Sequence, residues 1–143
     1  MAPPPPKKPP PPCIPGQNFP IVTLDQTFDA DFVMKYSTCA KPVDYQEDPI
    51  LLDMLIKSAT LAIKDYNTQH HTDYRFVEIE MATFVMASGP IFHVTFKCMN
   101  AEIQNQYTSF QASVWRTKRT RKVLRIRIKE SSTWCTGGLC EPV

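Results

Sequence analysis

The stretch "ILLDMLIKSATLAIKDY", residues 50–66, carries the pattern that decides the fold. Asp48 precedes it in the N-cap position, Pro49 suits the first helical position, and Asn67 is available as a terminator. Apolar side chains recur at spacings of three and four, which puts them on one stripe of a helix about 27 Å long. The stripe consists of Leu52, Leu55, Ile56, Ala59, Ala62, Ile63 and Tyr66. Such a helix must pack against a second layer.

That second layer is predicted from residue 74 onward, where apolar and polar residues begin to alternate. Four strands are expected, in "YRFVEIEMATFVM", "IFHVTFKC", "YTSFQASVW" and "VLRIRIK". The predicted inward side chains are Val77, Ile79, Met81, Val85, Phe92, Val94, Phe96, Cys98, Phe110, Ala112, Val114, Leu124, Ile126 and Ile128. In the last strand, Arg125, Arg127 and Lys129 are expected to face water. Short connections favour an antiparallel meander, so we predict an α+β fold with one long helix packed across a four-stranded antiparallel sheet.

Four parts of the chain follow from composition. Residues 1–20 hold ten of the 14 prolines and predict a disordered, Pro-rich tail, either a solvated spacer or a P-x-x-P docking segment. Residues 21–45 form a lead segment of uncertain structure, with a short strand conceivable at 21–24. Residues 46–130 form the folded domain, and residues 131–143 form a C-terminal tail.

Charge and cysteine usage bear on the class of protein. Residues 1–115 carry eight basic and twelve acidic side chains, whereas residues 116–143 carry eight basic and two acidic ones. The N-terminus lacks the apolar segment of a signal peptide, and no apolar run reaches the roughly 18 residues of a membrane helix, so a cytoplasmic or nuclear protein without membrane partners is expected. The five cysteines are expected to be free thiols, although Cys135 and Cys140 in "WCTGGLC" can bridge if oxidised.

Enzymatic and metal chemistry are not expected from the residue pattern. His93 and Cys98 have opposite parity on one predicted strand, so they cannot form a dyad. His70 and His71 fall in the predicted loop after the helix, where exposed imidazoles are the simplest reading. Cys135 and Cys140 supply at most two thiolates, and four glycines form no phosphate-binding loop, so no metal or cofactor is expected.

Residues 51–129 resemble the cystatin family, taken broadly to include plant cystatins and their uncharacterised relatives. The resemblance is carried by "LAIKDYN" at the helix end, by the strands "YRFVEIEMATF" and "FQASVW", and by "GPIFHVTFK" after the first hairpin. Gly89 matches the glycine that closes the first hairpin in the family, and Val114 and Trp115 match its val-trp pair. The resemblance implies a cystatin-like fold and a protein-binding module that acts as a cysteine protease inhibitor.

Inhibitory cystatins block papain-like proteases with an N-terminal glycine segment, a Gln-Val-Val-Ala-Gly first hairpin and a Pro-Trp second hairpin. Of these features the first hairpin keeps its glycine, the second hairpin reads "RTKRTRK" instead, and Gly16 lies over thirty residues before the helix. The resemblance implies protease contacts at Val85, Met86, Ala87, Ser88 and Gly89 in the first hairpin, and in the second at Lys118, Arg119 and Arg121, supported by Val114 and Trp115.

The basic second hairpin supports an alternative. In this alternative a non-inhibitory cystatin-fold protein binds nucleic acid or an acidic protein through the cations of residues 116–122, extended by Arg125, Arg127 and Lys129. "KRTRK" also fits a nuclear import signal. Single-stranded nucleic acid binders interleave stacking aromatics with cations, and here only Trp115 stands near the patch. The oligomeric state is left open.

Overall fold

A computed structural model describes residues 24–29, 40–103 and 105–143 of the 143-residue chain. The Pro-rich tail predicted for residues 1–20, with Gly16, lies outside the described residues, as do 21–23 of the short strand considered at 21–24. The elements in chain order are α1 (Leu24–Thr27), β1 (Lys41–Pro42), α2 (Pro49–His70), β2 (Tyr74–Ala87), β3 (Gly89–Asn100), β4 (Tyr107–Arg116), β5 (Thr120–Ile128), β6 (Cys135–Thr136) and β7 (Cys140–Pro142).

The long helix α2 begins as predicted. The Asp48 side chain accepts hydrogen bonds from the backbone N–H groups of Ile50 and Leu51, both at 3.1 Å, and Pro49 occupies the first turn. The helix continues past Asn67 and ends at His70, with His71 in the left-handed conformation as C-cap. Asn67 therefore does not stop the helix. Its side chain instead bonds the N–H and C=O of Tyr74, at 2.9 and 2.8 Å, and so ties the helix end to the start of β2.

The sheet contains the four predicted strands, β2 to β5, as an antiparallel meander, and three short strands extend it to seven. β1 pairs with β2 at one edge, while β6 and β7 pair with different parts of β5 at the other. The predicted count of four was wrong because strands of two or three residues are too short to show alternation. Residues 135–142 thus cover the free edge of β5, which protects its unpaired backbone groups.

The α+β class is confirmed: α2 packs on one face of the antiparallel sheet. The helix contributes six buried apolar residues to this core, and β3 and β4 contribute the predicted inward residues. Aromatic rings close the end near the helix C-terminus, where Tyr66 and Phe110 meet edge to face with centroids 5.0 Å apart. The core comprises Val43, Leu55, Ala59, Leu61, Ala62, Ile63, Tyr66, Ala82, Phe92, Val94, Phe96, Cys98, Phe110, Ala112, Val114, Val123 and Ile126.

Because of two bulges in β2, three of its side chains that were predicted to point into the core do not do so. Its register with β3 shifts between Phe76 and Glu78 and again between Ile79 and Met81, and each shift inserts one unpaired residue. An inserted residue reverses the alternation, so Ala82, opposite Val94, enters the core. Val77 is consequently exposed, and Met81 and Val85 lie on the other face, opposite Thr95 and Ile91.

A third bulge corrects the prediction for β5. Between Ser113 and Val114 the register with β4 shifts by one residue, and Leu124 is left without a partner on β4. Val123 takes the core position that Leu124 was expected to fill, while Leu124 is half-buried outside the core. Arg127 does point to the opposite face, but it is buried there and does not face water.

On that opposite face lie two aromatic side chains that are far apart in the sequence, Phe28 and Trp134. Phe28, which follows α1, is buried against His93, with ring centroids 5.1 Å apart, and it stacks on Trp134 at 5.4 Å. Trp134 in turn lies 4.1 Å from the guanidinium carbon of Arg127, a cation–π contact. Polar side chains of the sheet are buried beneath this cover: Thr83, His93, Thr95, Gln111, Ser113 and Arg127.

Within the described residues, no helix is both long enough and apolar enough to cross a membrane.

Candidate functional site at the hairpin end of the sheet

The first hairpin, between β2 and β3, has an unusually narrow tip. Ala87 pairs with Gly89, so Ser88 alone forms the turn. Met86, Ala87 and Ser88 are exposed, with Met86 at 64% of its full accessible surface, whereas Val85 and Gly89 are half-buried. The tip therefore presents three small or apolar side chains that are free of intramolecular cover.

Gly89 is required at this tip for two reasons. Its φ of 103° lies in a region that residues with a side chain rarely adopt. A Cβ atom at this position would also collide with the carbonyl oxygen of Arg116 at the end of β4. The glycine thus allows the first hairpin to lie directly against the strand that leads into the second.

The second hairpin is a tight turn organised by threonines. Thr117 N–H donates to the Thr120 carbonyl at 2.8 Å, and Thr117 Oγ1 accepts from the N–H groups of Thr120 and Arg119 at 2.9 and 3.2 Å. The turn leaves Lys118 and Arg119 at the apex, where both side chains are exposed. The cations are therefore carried on a structured turn.

A hydrogen bond joins the two hairpins. Trp115 pairs with Ile91 across the sheet, and its indole Nε1 donates to the Ser88 carbonyl at 3.1 Å. Together with the packing of Gly89 on Arg116, this bond fixes both tips side by side at one end of the sheet. We call the exposed residues of this end the hairpin edge: Met86, Ala87, Ser88, Lys118 and Arg119.

Besides the half-buried Val85, Gly89 and Trp115, two of the predicted residues of the hairpins are buried and lie outside the hairpin edge. Val114 is completely buried in the helix-side core, where it supports the second hairpin from below. Arg121 has only 6% of its surface accessible and lies on the helix-facing side, near Ile56 and Thr60 of α2. Arg121 was expected at the hairpin tip, but its strand position places it under the helix, so it is not accessible to a partner.

The basic patch is smaller than the sequence suggested. Lys118, Arg119, Lys122 and Lys129 are exposed, Arg116 and Arg125 are half-buried, and Arg127 is covered by Trp134. The Arg127 guanidinium also donates to Gln111 Oε1, through Nε at 3.0 Å and Nη2 at 2.8 Å. Across the part of the chain that the structure describes, none of the ion pairs involves the four exposed cations of this patch.

An apolar groove beside the first hairpin was not predicted. It has a volume of about 340 Å³ and lies on the helix-facing side, between β1, the start of α2 and the ends of β2 and β3. Its walls include Val43, Leu51, Phe84, Met86 and Pro90. No local sequence pattern predicts this groove, since it depends on the two-residue strand β1 and on the β2 bulges that turn Phe84 and Met86 toward the helix side.

The two buried titratable side chains of β3, His93 and Cys98, lie on opposite faces of the sheet and do not contact each other. Burial, with a smaller contribution from Arg125, lowers the pKa of His93 to about 4, and His93 Nδ1 lies 2.9 Å from Ser113 Oγ. Burial raises the pKa of Cys98 to about 12 on the opposite face of the sheet. Among the described residues, no three His, Cys, Asp or Glu side chains group closely enough to hold a metal ion.

No protein-family model matches this chain, and no curated protein matches it either. The cystatin resemblance of residues 51–129 therefore stays a prediction, and the hairpin edge is judged on its geometry.

Proposed function

We propose that this protein is a cystatin-like protein-binding module that inhibits a papain-like cysteine protease by inserting the hairpin edge into its cleft. The observation that carries the proposal is the Trp115–Ser88 hydrogen bond, which aligns two exposed turns at one end of the sheet. A rigid, preformed edge loses little conformational entropy on binding, and this saving is what allows a small contact area to bind tightly.

The first hairpin would supply the apolar part of the contact. Ser88 is a one-residue turn, so the tip is slim enough to enter a cleft, and Met86 beside it is exposed. The groove behind Met86 extends this apolar surface toward Leu51. Anchors of this kind gain affinity by displacing water from a pocket on the partner.

The second hairpin constrains the choice of target. Lys118 and Arg119 would lose hydration at the interface, and that loss is offset only by carboxylates on the partner. We therefore expect the target protease to present acidic side chains beside its cleft. The basic tip would then select among proteases by charge and add speed to their association.

Titration of papain with the purified chain tests the inhibition. We expect progressive loss of protease activity, and an Ala87→Arg variant should weaken inhibition by at least about tenfold because a long charged side chain blocks the slim tip. Thr68→Arg is the matched control, since it adds the same side chain at an exposed position near the C-terminal end of α2. Unchanged activity at micromolar protein, for papain and for a papain-like protease with acidic side chains beside its cleft, would reject inhibition of that enzyme class.

A second function is favoured by one observation: the four exposed cations of the patch, Lys118, Arg119, Lys122 and Lys129, have no ion-pair partner within the described chain. They could instead contact phosphates of a nucleic acid. Filter binding to single-stranded RNA at rising salt separates the two functions, because Lys118→Gln with Arg119→Gln should lower the salt slope by about 1.4. Replacing Lys57 and Lys64 by Gln removes the same charge from α2 and should leave the slope unchanged. Absence of binding at low salt eliminates this function.

A further inference from the structure

Away from the hairpin edge, a cysteine and a histidine side chain contact each other. Cys135 begins β6 and pairs with Ile126 of β5, while His70 is the last residue of α2. Cys135 Sγ lies 3.6 Å from His70 Nε2, which is hydrogen-bonding distance for sulfur. The histidine is exposed and the cysteine is half-buried, so small molecules in solution can reach the sulfur.

The contacts of the imidazole fix the position of its proton. His70 Nδ1 lies 3.1 Å from the carbonyl oxygen of Tyr66, and a carbonyl only accepts hydrogen bonds. Nδ1 therefore carries the proton in the neutral ring, and the lone pair of Nε2 points to the thiol. The ring also stacks on Tyr66, with centroids 4.0 Å apart and planes 16° from parallel, which holds this orientation.

The cysteine is held in place by contacts between its segment and the helix. Gln69 Nε2 donates to the Thr136 carbonyl at 3.1 Å, and Gly138 N–H donates to Asp65 Oδ2 at 3.0 Å. On the other side, Gly137 N–H donates to the Leu124 carbonyl of β5 at 2.9 Å. The sulfur thus faces a base that is oriented by a third group, the arrangement that activates a nucleophile.

We propose that Cys135 is a reactive thiol, activated by His70, and that hydroperoxides oxidise it to a sulfenic acid. His70 Nε2 takes the thiol proton, and the thiolate sulfur attacks one peroxide oxygen. An S–O bond forms as the O–O bond breaks, and the leaving oxygen takes the proton from the imidazolium and departs as water or an alcohol. The sulfur loses two electrons and the peroxide gains them.

Two other cysteines of the described chain serve as internal references. Cys140 is more exposed than Cys135, but among the described residues no histidine lies next to its sulfur. Its reaction rate therefore represents an exposed thiol without a neighbouring base. Cys98 is completely buried in the core and reports whether the protein remains folded. If exposure alone governed reactivity, Cys140 would react first.

The experiment alkylates the full-length chain with iodoacetamide and measures the rate at each cysteine by peptide mass spectrometry. In this reaction a C–S bond forms as the C–I bond breaks and iodide leaves. Near neutral pH, we expect Cys135 to react on the order of tenfold faster than Cys140. Below neutral pH, its rate should decline less steeply than that of Cys140. Equal rates with parallel pH profiles would overturn the proposal.

Variants then test the histidine. His70→Gln should reduce the Cys135 rate to that of Cys140, whereas His71→Asn, which keeps a residue that tolerates the left-handed C-cap, should not change it. Protection of Cys98 confirms that each variant is folded. An unchanged Cys135 rate in folded His70→Gln would refute the role of His70, and if that variant unfolds, the pH profiles of the unaltered chain decide.

The oxidation itself is read out by treating the unaltered chain with hydrogen peroxide and then with dimedone, a reagent that captures sulfenic acids. We expect dimedone on Cys135 and, in the His70→Gln variant, a loss of on the order of tenfold in its rate of appearance. Capture mainly on Cys140 would contradict the assignment.

Discussion

The two faces of the sheet are buried by different means. On one face, a 22-residue helix covers apolar side chains and forms a continuous core. On the other, the stacked rings of Phe28 and Trp134 lie over polar side chains that bond to one another, such as His93 with Ser113 and Arg127 with Gln111. The first face is stabilised by removing apolar area from water, and the second depends on every buried polar group keeping its partner.

Truncation on the helix face should have the largest effect on stability. Phe110 is completely buried and contacts the rings of Tyr66, Tyr74 and Phe96. Phe110→Ala should lower the free energy of unfolding by about 4 to 5 kcal/mol, because an apolar cavity is left in a rigid core. Denaturant unfolding measures the loss. Tyr107→Ala on the same strand is the control, since Tyr107 is largely exposed, and its effect should stay within about 1 kcal/mol.

This difference between the faces explains what the sequence could predict. The helix face depends on periodicity within α2 and within each strand, so its helix, its four long strands and most of its core were foreseen from the spacing of residues such as Leu55 and Phe96. Val77 and Leu124 were misplaced because a bulge leaves no local mark in a run of apolar residues. The cover of the opposite face joins Phe28 to Trp134, and no local pattern connects residues so far apart in the chain.

For the candidate site, too, some features could be predicted from local sequence and others depend on contacts between distant parts of the chain. The exposed tips at Ala87 and Lys118 follow from turn chemistry that can be read locally, such as the Gly89-Pro90 pair. The burial of Arg121 and the pairing of Cys135 with His70 depend on how residues 135–142 fold back on β5 and α2. Those contacts are non-local, and the composition of "WCTGGLC" indicated only a turn.

Truncation on the opposite face should cost less. Phe28 is almost fully buried, but it follows a helix of only four residues and packs against the rings of His93 and Trp134 outside the continuous apolar core. We expect Phe28→Ala to lower the free energy of unfolding by about 3 kcal/mol, the low end for an aromatic truncation. The same denaturant series with Val77→Ala, at an exposed position, gives the baseline. A loss equal to that of Phe110→Ala would mean that the two faces are equally rigid.

The smallest expected effect is a pH dependence of stability. It arises on the face opposite the helix, because a buried histidine lies there. Burial beneath Phe28 disfavours the charged imidazolium of His93 and lowers its pKa from 6.5 to about 4. Between those values the unfolded chain binds more protons than the folded one, so stability increases with pH through this window and is lost on acidification. The free energy of unfolding is highest above pH 6.5, where His93 is neutral in both states. Through His93 it should decrease by about 2 kcal/mol between pH 7 and pH 5.

We would measure denaturant midpoints across that pH range for the unaltered chain and for a His93→Gln variant. Both proteins share the same carboxylates and glutamine does not titrate, so the difference between the two pH profiles gives the contribution of His93. Phe28→Ala should make the pH dependence shallower as well, since opening the cover lets water reach His93 and brings its folded pKa back toward 6.5. Phe110→Ala should not, because the cavity it creates lies on the helix side of the sheet. Equal flattening by both variants would show that the two faces unfold locally as one unit, and that the cover over His93 is not an independent element of the fold.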